Sequence, residues 1–202
     1  MHRINGSDMN MEIPLFPLNS VLFPGGVLPL RIFESRYIDM VSRCMKQQSP
    51  FGIVMIKSGK EVGDAPEVYE YGTLADIHYF EQLDNGLLGI TARGGQRFHI
   101  QQSWVEANQQ LMANVTLLAD EPRLTVSEDE YQPWTELVAE ILQQLGPPYS
   151  LLPCEYDNAT WLGHRLAELL PIERELKQLF LQMNEPQQRL ERIIALLSSA
   201  RN

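Results

Sequence analysis

The sequence predicts a mixed α+β fold, in which a small β-barrel or sandwich with one inserted helix precedes a small α-helical bundle. Three observations predict it. Up to residue 118, short apolar runs alternate with Gly, Pro and Asn, as in short strands joined by turns. One segment in this part, Ser35–Gln48, carries an apolar stripe at helical spacing instead. After Ala119–Pro122 the pattern becomes helical and rich in Gln, Glu and Leu.

The first part contains about seven predicted strands, and their regular spacing favours a barrel or a sandwich. Prolines interrupt the first two strands, which we therefore expect to be edges or bulged, because proline cannot donate to a strand ladder. Asn85-Gly86 predicts a tight hairpin, and Gly94-Gly95 predicts a turn between two further strands. The predicted strands are Ile13–Leu18, Val27–Ile32, Phe51–Lys57, Tyr69–Phe80, Gly86–Ala92, Gln96–Val105 and Gln110–Leu118.

The second part predicts four helices with short connections, which is typical of antiparallel neighbours in a bundle. Ser127 and Glu130 have the spacing of a capping box, in which hydroxyl and carboxylate satisfy each other's backbone amides. Gly146 is a natural stop for that helix. The other helices are expected at about residues 158–170, from residue 171 and from residue 185.

The predicted organisation is a flexible tail at residues 1–10, a β-barrel domain at 11–119 and a helical bundle at 120–202. The sequence has no run of about 18 apolar residues, and its start lacks the apolar core of a signal peptide. The two cysteines, Cys44 and Cys154, lie far apart and have no CxxC partner, so we expect reduced thiols. We therefore expect a cytoplasmic protein.

The formal net charge of −10 bears on the partners. An extended nucleic-acid interface needs clustered Lys and Arg to neutralise phosphates, and anionic lipid repels a strongly acidic protein. We therefore expect neither a nucleic-acid nor a membrane partner.

The sequence carries no recognisable catalytic, metal or cofactor motif. Gly59-Lys60 is the sole Gly-Lys pair, and it lacks the remainder of a phosphate-binding loop. The four histidines, His2, His78, His99 and His164, show no metal-ligand spacing. We expect no cofactor, no bound metal and no enzyme activity.

A resemblance emerges from several motifs that occur in a fixed order. PLFPL at residues 14–18, VLFPG at 21–25 and LPLRIFE at 28–34 come first, followed by Arg36-Tyr37 and Met40. The later segments are FGIV at 51–54, GTLADI at 72–77, DNG at 84–86, GQRF at 95–98, LLP at 169–171, LKQLF at 176–180 and RL at 189–190. From about residue 12 onward, the chain resembles the amino-terminal substrate-binding domain of the Lon protease. Ser35 stands where many members of that family have proline, and either residue suits the start of a helix.

The resemblance implies a PUA-like β pseudo-barrel with one inserted helix and a following helical bundle. It also implies a docking platform for unfolded or tagged protein segments, with a full-length Lon protease as a candidate partner. We expect a free-standing member without the ATPase and protease domains, acting as an adaptor or regulator of proteolysis. The alternatives are a hydrolase with an unrecognised site and an RNA-binding PUA-like protein.

Two groups of residues are candidate functional or structural sites. Phe23 and Pro24 in a Gly-rich loop, with Tyr69 and Tyr71 on an expected edge strand, form the candidate peptide-binding patch, because non-native segments present apolar groups and unpaired backbone. The second group is expected to be an ion-pair or capping network that fixes the corner between a strand and the inserted helix: Arg31, Glu34 and Arg36.

Overall fold

The computed structural model describes residues 10–84 and 86–200; of the expected tail, residues 1–9 lie outside this part, and so does Asn85 of the predicted hairpin. The strands are β1 (Asn10–Leu18), β2 (Val27–Ile32), β3 (Phe51–Ser58), β4 (Glu67–Gln82), β5 (Leu88–Val105) and β6 (Leu111–Leu117). The helices are α1 (Ser35–Gln47), α2 (Glu128–Leu145), α3 (Ala159–Leu169), α4 (Arg174–Gln182) and α5 (Pro186–Ala200), with a 3-10 turn at Tyr149–Leu151.

The six strands form one ring-like sheet in the order β2-β5-β4-β3-β1-β6. A second pairing, between β5 and β6, closes the ring and leaves β2 attached to the first part of β5. Helix α1 is inserted between β2 and β3, and the other helices follow β6. The predicted α+β fold class is confirmed.

The described sheet has six strands rather than seven, because β5 runs unbroken through Gly94-Gly95. Gly94 is needed for a close approach: it pairs with Ala75, and a Cβ at this position would lie 2.3 Å from the carbonyl oxygen of Phe23. Its N–H donates to Gly26 O and its carbonyl accepts from Gly25 N–H, both at 2.8 Å. The prediction of a turn here was therefore wrong.

The prolines of β1 lie where the strand has one neighbour. Strand β1 pairs with β6 over Asn10–Leu15 and in parallel with β3 over Leu15–Leu18. Pro14 lies in the first stretch and Pro17 in the second. Each half of β1 thus behaves as an edge, which tolerates a residue without an N–H donor.

The helix termini match the sequence pattern less well. In the described chain, the Ser127 side chain makes no cap hydrogen bond, so the capping-box prediction was wrong. Asn158 instead caps α3, since its side-chain oxygen accepts from Thr160 N–H at 3.1 Å.

No helix within the described ranges is long and apolar enough to span a membrane.

Three apolar clusters form the core. One fills the barrel beneath α1, and a second lies among β1, β5 and β6. The third consists mainly of helix residues, with α3 buried along most of its length, but it also contains Phe23, Val27 and Met55 from the strand region. The helices therefore pack on the barrel through a shared core.

Candidate functional site

A groove of about 320 Å³ opens beside β2, where the barrel meets the start of α1. We call it the β2 groove. Its lining combines a buried apolar floor with an exposed rim. The lining residues are Phe16, Leu18, Pro29, Leu30, Arg31, Phe33, Glu34, Tyr37, Glu61 and Val62.

The groove follows an open strand edge. Within the described part of the chain, β2 pairs only with β5. Pro29 and Arg31 are exposed whereas Leu30 packs against the barrel core, as expected when successive side chains lie on opposite faces of a strand. All three line the groove, and none of its described lining residues belongs to β5. The groove therefore wraps the edge of β2 that points away from β5.

The floor of the groove is aromatic and uncharged. Phe16 and Tyr37 stack with ring centroids 4.2 Å apart, and both are buried. Burial raises the pKa of the Tyr37 hydroxyl to about 12, with Arg36 opposing the shift. The phenol therefore stays protonated at neutral pH and can donate a hydrogen bond.

The rim exposes two large apolar side chains. Phe33 is 54% exposed and Val62 is 55% exposed. Phe33 follows β2 directly, and Val62 lies in the loop between β3 and β4. That loop is tied to the end of β1, because Glu61 accepts a hydrogen bond from the Asn19 N–H at 2.6 Å. Together the two side chains form an apolar rim above an apolar floor.

The predicted corner residues lie at one end of the groove. The buried Arg36 guanidinium pairs with Glu34 at 2.9 Å and donates to Gln109 O at 2.8 Å. It also lies over the Tyr37 ring, 4.6 Å from the centroid. Arg31 is exposed and, like Glu34, lines the groove. Glu34 and Arg36 therefore fix the start of α1, whereas Arg31 is available to solvent.

Phe23 of the candidate peptide-binding patch is fully buried. Its ring lies 5.6 Å from that of His164 on α3. The loop is pinned between β5 and α3: Arg165 donates to Pro24 O at 2.9 Å, and a Cβ on Gly26 would lie 2.1 Å from a Glu168 carboxylate oxygen. Pro24 itself is half-buried.

Tyr69 and Tyr71 are half-buried. Strand β4 pairs with β3 over Glu67–Ala75 and with β5 from Tyr71 onward, so the expected edge position fits the stretch around Tyr69 but not Tyr71. Tyr69 packs against the core shared with the helices. Tyr71 pairs with His99 across the strands, with ring centroids 4.6 Å apart, and its carbonyl accepts from Gln178 on α4 at 3.0 Å. The structure does not bring these tyrosines together with the β2 groove.

A buried cluster of charges connects the barrel to the helices. The Glu121 carboxylate pairs with Arg97 of β5 at 2.8 Å and with Arg189 of α5 at 2.9 Å. Arg97 also donates to the carbonyls of Leu181 and Met183 at 2.7 and 2.8 Å. Sequence inspection missed this cluster, since no spacing rule joins residues so distant along the chain.

His164 lies at the edge of the same cluster, 3.6 Å from Glu121. Burial, reinforced by Arg189, Arg165 and Arg97, lowers the pKa of His164 well below its usual value. A polar cleft of about 230 Å³ adjoins these groups. Because Glu121 already binds two guanidinium groups, we assign the cluster to fold stability rather than to catalysis.

A second apolar depression is lined by Tyr79 of β4 and Leu151 of the 3-10 turn. These side chains are 56% and 74% exposed. The depression is about 410 Å³ in volume and is also lined by Pro147 and Pro148. It lies beside residues 78–81 of β4, which pair with β5 but, among the described residues, not with β3. The β2 groove differs from it in the buried aromatic floor formed by Phe16 and Tyr37.

In the part of the chain that the structure describes, no group of three or more His, Cys, Asp or Glu side chains could hold a metal ion. Cys44 is buried and Cys154 is exposed, and both are free thiols.

The family model for the "ATP-dependent protease La (LON) substrate-binding domain" matches residues 12–199 of the chain. Two curated relatives are similar over 98% of the chain: Lon protease of Anaeromyxobacter dehalogenans, 28% identical, and Lon protease 2 of Myxococcus xanthus, 25% identical. The chain spans 24% and 25% of those proteins, which is about a quarter of their length.

Two solved structures share the fold. A Lon N-terminal domain protein from Xanthomonas campestris is 34% identical, with a TM-score of 0.70 over 92% of this chain and 98% of that one. The N-terminal domain of the Mycobacterium avium complex Lon protease is 16% identical, with a TM-score of 0.59 over 93% and 98%, and shows the fold alone. The resemblance indicated by the sequence motifs is confirmed.

Proposed function

We propose that this chain, which belongs to the Lon substrate-binding domain family, binds non-native protein segments in the β2 groove and performs no catalytic step itself. The observation that carries the proposal is the combination of an exposed apolar rim, an apolar floor and an open strand edge in one groove. Unfolded segments present the complementary features, namely exposed apolar side chains and unpaired backbone groups.

The size of the groove is consistent with weak, reversible binding. A volume of about 320 Å³ holds only a few side chains. Burying an apolar side chain contributes about 1.5–3 kcal/mol, so two or three side chains contribute about 3–9 kcal/mol. This corresponds to a dissociation constant between about 0.3 µM and about 6 mM before the entropic cost of association is subtracted. Affinity in this range suits a surface that accepts many different segments.

We further propose that the chain acts as an adaptor or regulator of proteolysis in the cytoplasm, with a Lon protease as its partner. Membership of the family and the two free thiols support this assignment.

We also propose a domain boundary near residues 119–120, because the change from strands to helices falls between β6 and α2. Limited proteolysis followed by mass spectrometry tests that boundary, and we expect cleavage between residues 118 and 127.

Fluorescence anisotropy tests the binding proposal. The purified chain is titrated against labelled ribonuclease A that has been reduced and carbamidomethylated, so that it stays unfolded, and against the native protein as control. We expect saturable binding to the unfolded form at tens of micromolar and none to the native form. Equal binding to both forms, or no binding at these concentrations, contradicts the proposal.

A further inference from the structure

We propose that a bound segment adds to β2 as an extra strand, so that backbone hydrogen bonds to this edge, as well as side-chain burial, hold it in the groove. The inference rests on the proposed function and specifies how the β2 groove recognises its ligand. The occupant is an extended, apolar polypeptide segment with neutral or basic flanks.

The hydrogen-bond pattern of β2 identifies its free backbone groups. Gly94 N–H donates to Gly26 O, so Gly26 directs its backbone toward β5. Antiparallel ladders alternate, and the pairing over residues 27–32 has no register shift. Leu28, Leu30 and Ile32 therefore also face β5, whereas Val27, Pro29 and Arg31 direct their N–H and carbonyl groups to the open edge.

Pro29 supports this assignment independently. Proline has no N–H, so it fits a strand only where no ladder donor is needed. The alternation derived from Gly26 places Pro29 on the open edge, where its missing donor costs nothing. In the groove the edge thus presents three backbone groups: the carbonyl of Pro29 and the N–H and carbonyl of Arg31.

The groove surrounds this edge with features suited to an extended chain. Leu30 lies on one face of β2 and Arg31 on the other, and both line the groove. A strand added to β2 would therefore direct alternate side chains toward the apolar floor and toward solvent. A helix has no free backbone donors or acceptors in its interior and could not use the three groups.

Charge decides which segments fit. The chain has a formal net charge of −10, and the groove lining contains Glu34 and Glu61 beside the single cation Arg31. Glu34 is already paired with Arg36. The net negative charge of the protein as a whole repels acidic segments. The complementary partner is therefore an apolar segment with neutral or basic flanks.

Two substitutions of Arg31 test the inference. Arg31→Ala removes the side chain but keeps the backbone N–H, whereas Arg31→Pro removes the N–H as well. With unfolded, carbamidomethylated ribonuclease A as probe, we expect Arg31→Pro to bind at least about fivefold more weakly than Arg31→Ala, the effect of one lost hydrogen bond. Equal affinities of the two variants would overturn strand addition.

Amide hydrogen exchange of the wild-type chain, measured by NMR, covers the case in which Arg31→Pro does not fold. We expect saturation with unfolded ribonuclease A to slow exchange at Arg31 and leave Leu30, already bonded to β5, unchanged. Saturable binding without protection at Arg31 overturns the inference but leaves the proposed function intact, whereas absence of binding removes both. In the absence of ribonuclease, protection at Arg31 could also grow with protein concentration. That result would assign the open edge to a second copy of the chain and would overturn the inference.

Discussion

Arg97 on β5 and Glu121, which follows β6, form a buried ion pair with 2.8 Å between Nη2 and Oε1. Arg189 on α5 binds the same carboxylate through Nη1 at 2.9 Å. One carboxylate thus connects a strand of the barrel to the last helix. All three side chains are shielded from solvent, and the two guanidinium charges are tolerated in the interior because both pair with the Glu121 carboxylate.

Removing this carboxylate charge should strongly destabilise the fold. Glu121→Gln leaves two buried guanidinium groups without a counter-charge, and we expect the free energy of unfolding to fall by about 3–5 kcal/mol. Urea denaturation followed by circular dichroism measures the change. The matched control is Glu155→Gln, which breaks the exposed pair with Arg123 and should cost less than about 1 kcal/mol. Equal losses in the two variants would contradict the assignment.

His164 should make stability depend on pH. The folded state keeps His164 neutral because burial lowers its pKa, whereas the unfolded chain takes up a proton near pH 6.5. Below that pH the unfolded state binds more protons, so the free energy of unfolding should fall by roughly 1 kcal/mol between pH 7.5 and 5.5. Urea denaturation at both pH values should show a smaller fall for His164→Phe. An unchanged fall in the variant would mean that other groups cause it.

Gly94 and Gly95 should respond differently to the same substitution. A Cβ on Gly94 would lie 2.3 Å from the backbone carbonyl of Phe23, whereas the nearest atom to a Cβ on Gly95 is 3.6 Å away. We expect Gly94→Ala to lower the free energy of unfolding by about 1–3 kcal/mol, the cost of overpacking. Gly95→Ala should be neutral or stabilising by up to about 1 kcal/mol, since glycine is entropically costly in a strand. Similar effects of the two changes would argue against the close approach.

The two thiols should react at different rates. Burial raises the pKa of the Cys44 thiol, whereas Cys154 is exposed. Because the thiolate is the reactive species, a colorimetric disulfide reagent should modify one thiol per chain rapidly under native conditions and two in urea. Cys154→Ser should abolish the rapid phase. Rapid native reaction of Cys44 would show that the core beneath α1 opens readily.

The sequence predicted much of the fold because its signals are local. The bounds predicted for β2 agree with the structure, and α1 ends within one residue of its predicted end. The errors arose where tertiary contacts reassigned a local signal. Gly94-Gly95 is a turn signal in isolation, but the loop before β2 packs against β5 there and requires a residue without a side chain.

The candidate site was harder to predict, since exposure depends on what packs nearby. Phe23 lies in a Gly-rich loop, and such loops are usually exposed, yet Arg165 and Glu168 of α3 fix this loop over the third core cluster. No sequence pattern distinguishes Phe33, which follows β2 and is exposed beside its open edge. Edge and centre positions follow from strand order, which local periodicity does not contain.

The central claim is that the β2 groove binds non-native segments, and a comparison of two double variants tests it most directly. Phe33→Ser/Val62→Ser removes the apolar rim, and Tyr79→Ser/Leu151→Ser removes two apolar side chains of at least equal exposure from the second depression. Each variant is titrated by anisotropy against unfolded ribonuclease A. We expect the rim variant to bind at least about tenfold more weakly, a loss of about 1.4 kcal/mol, and the control to bind like the wild type. Loss of affinity in the control alone, or equally in both, would contradict the claim.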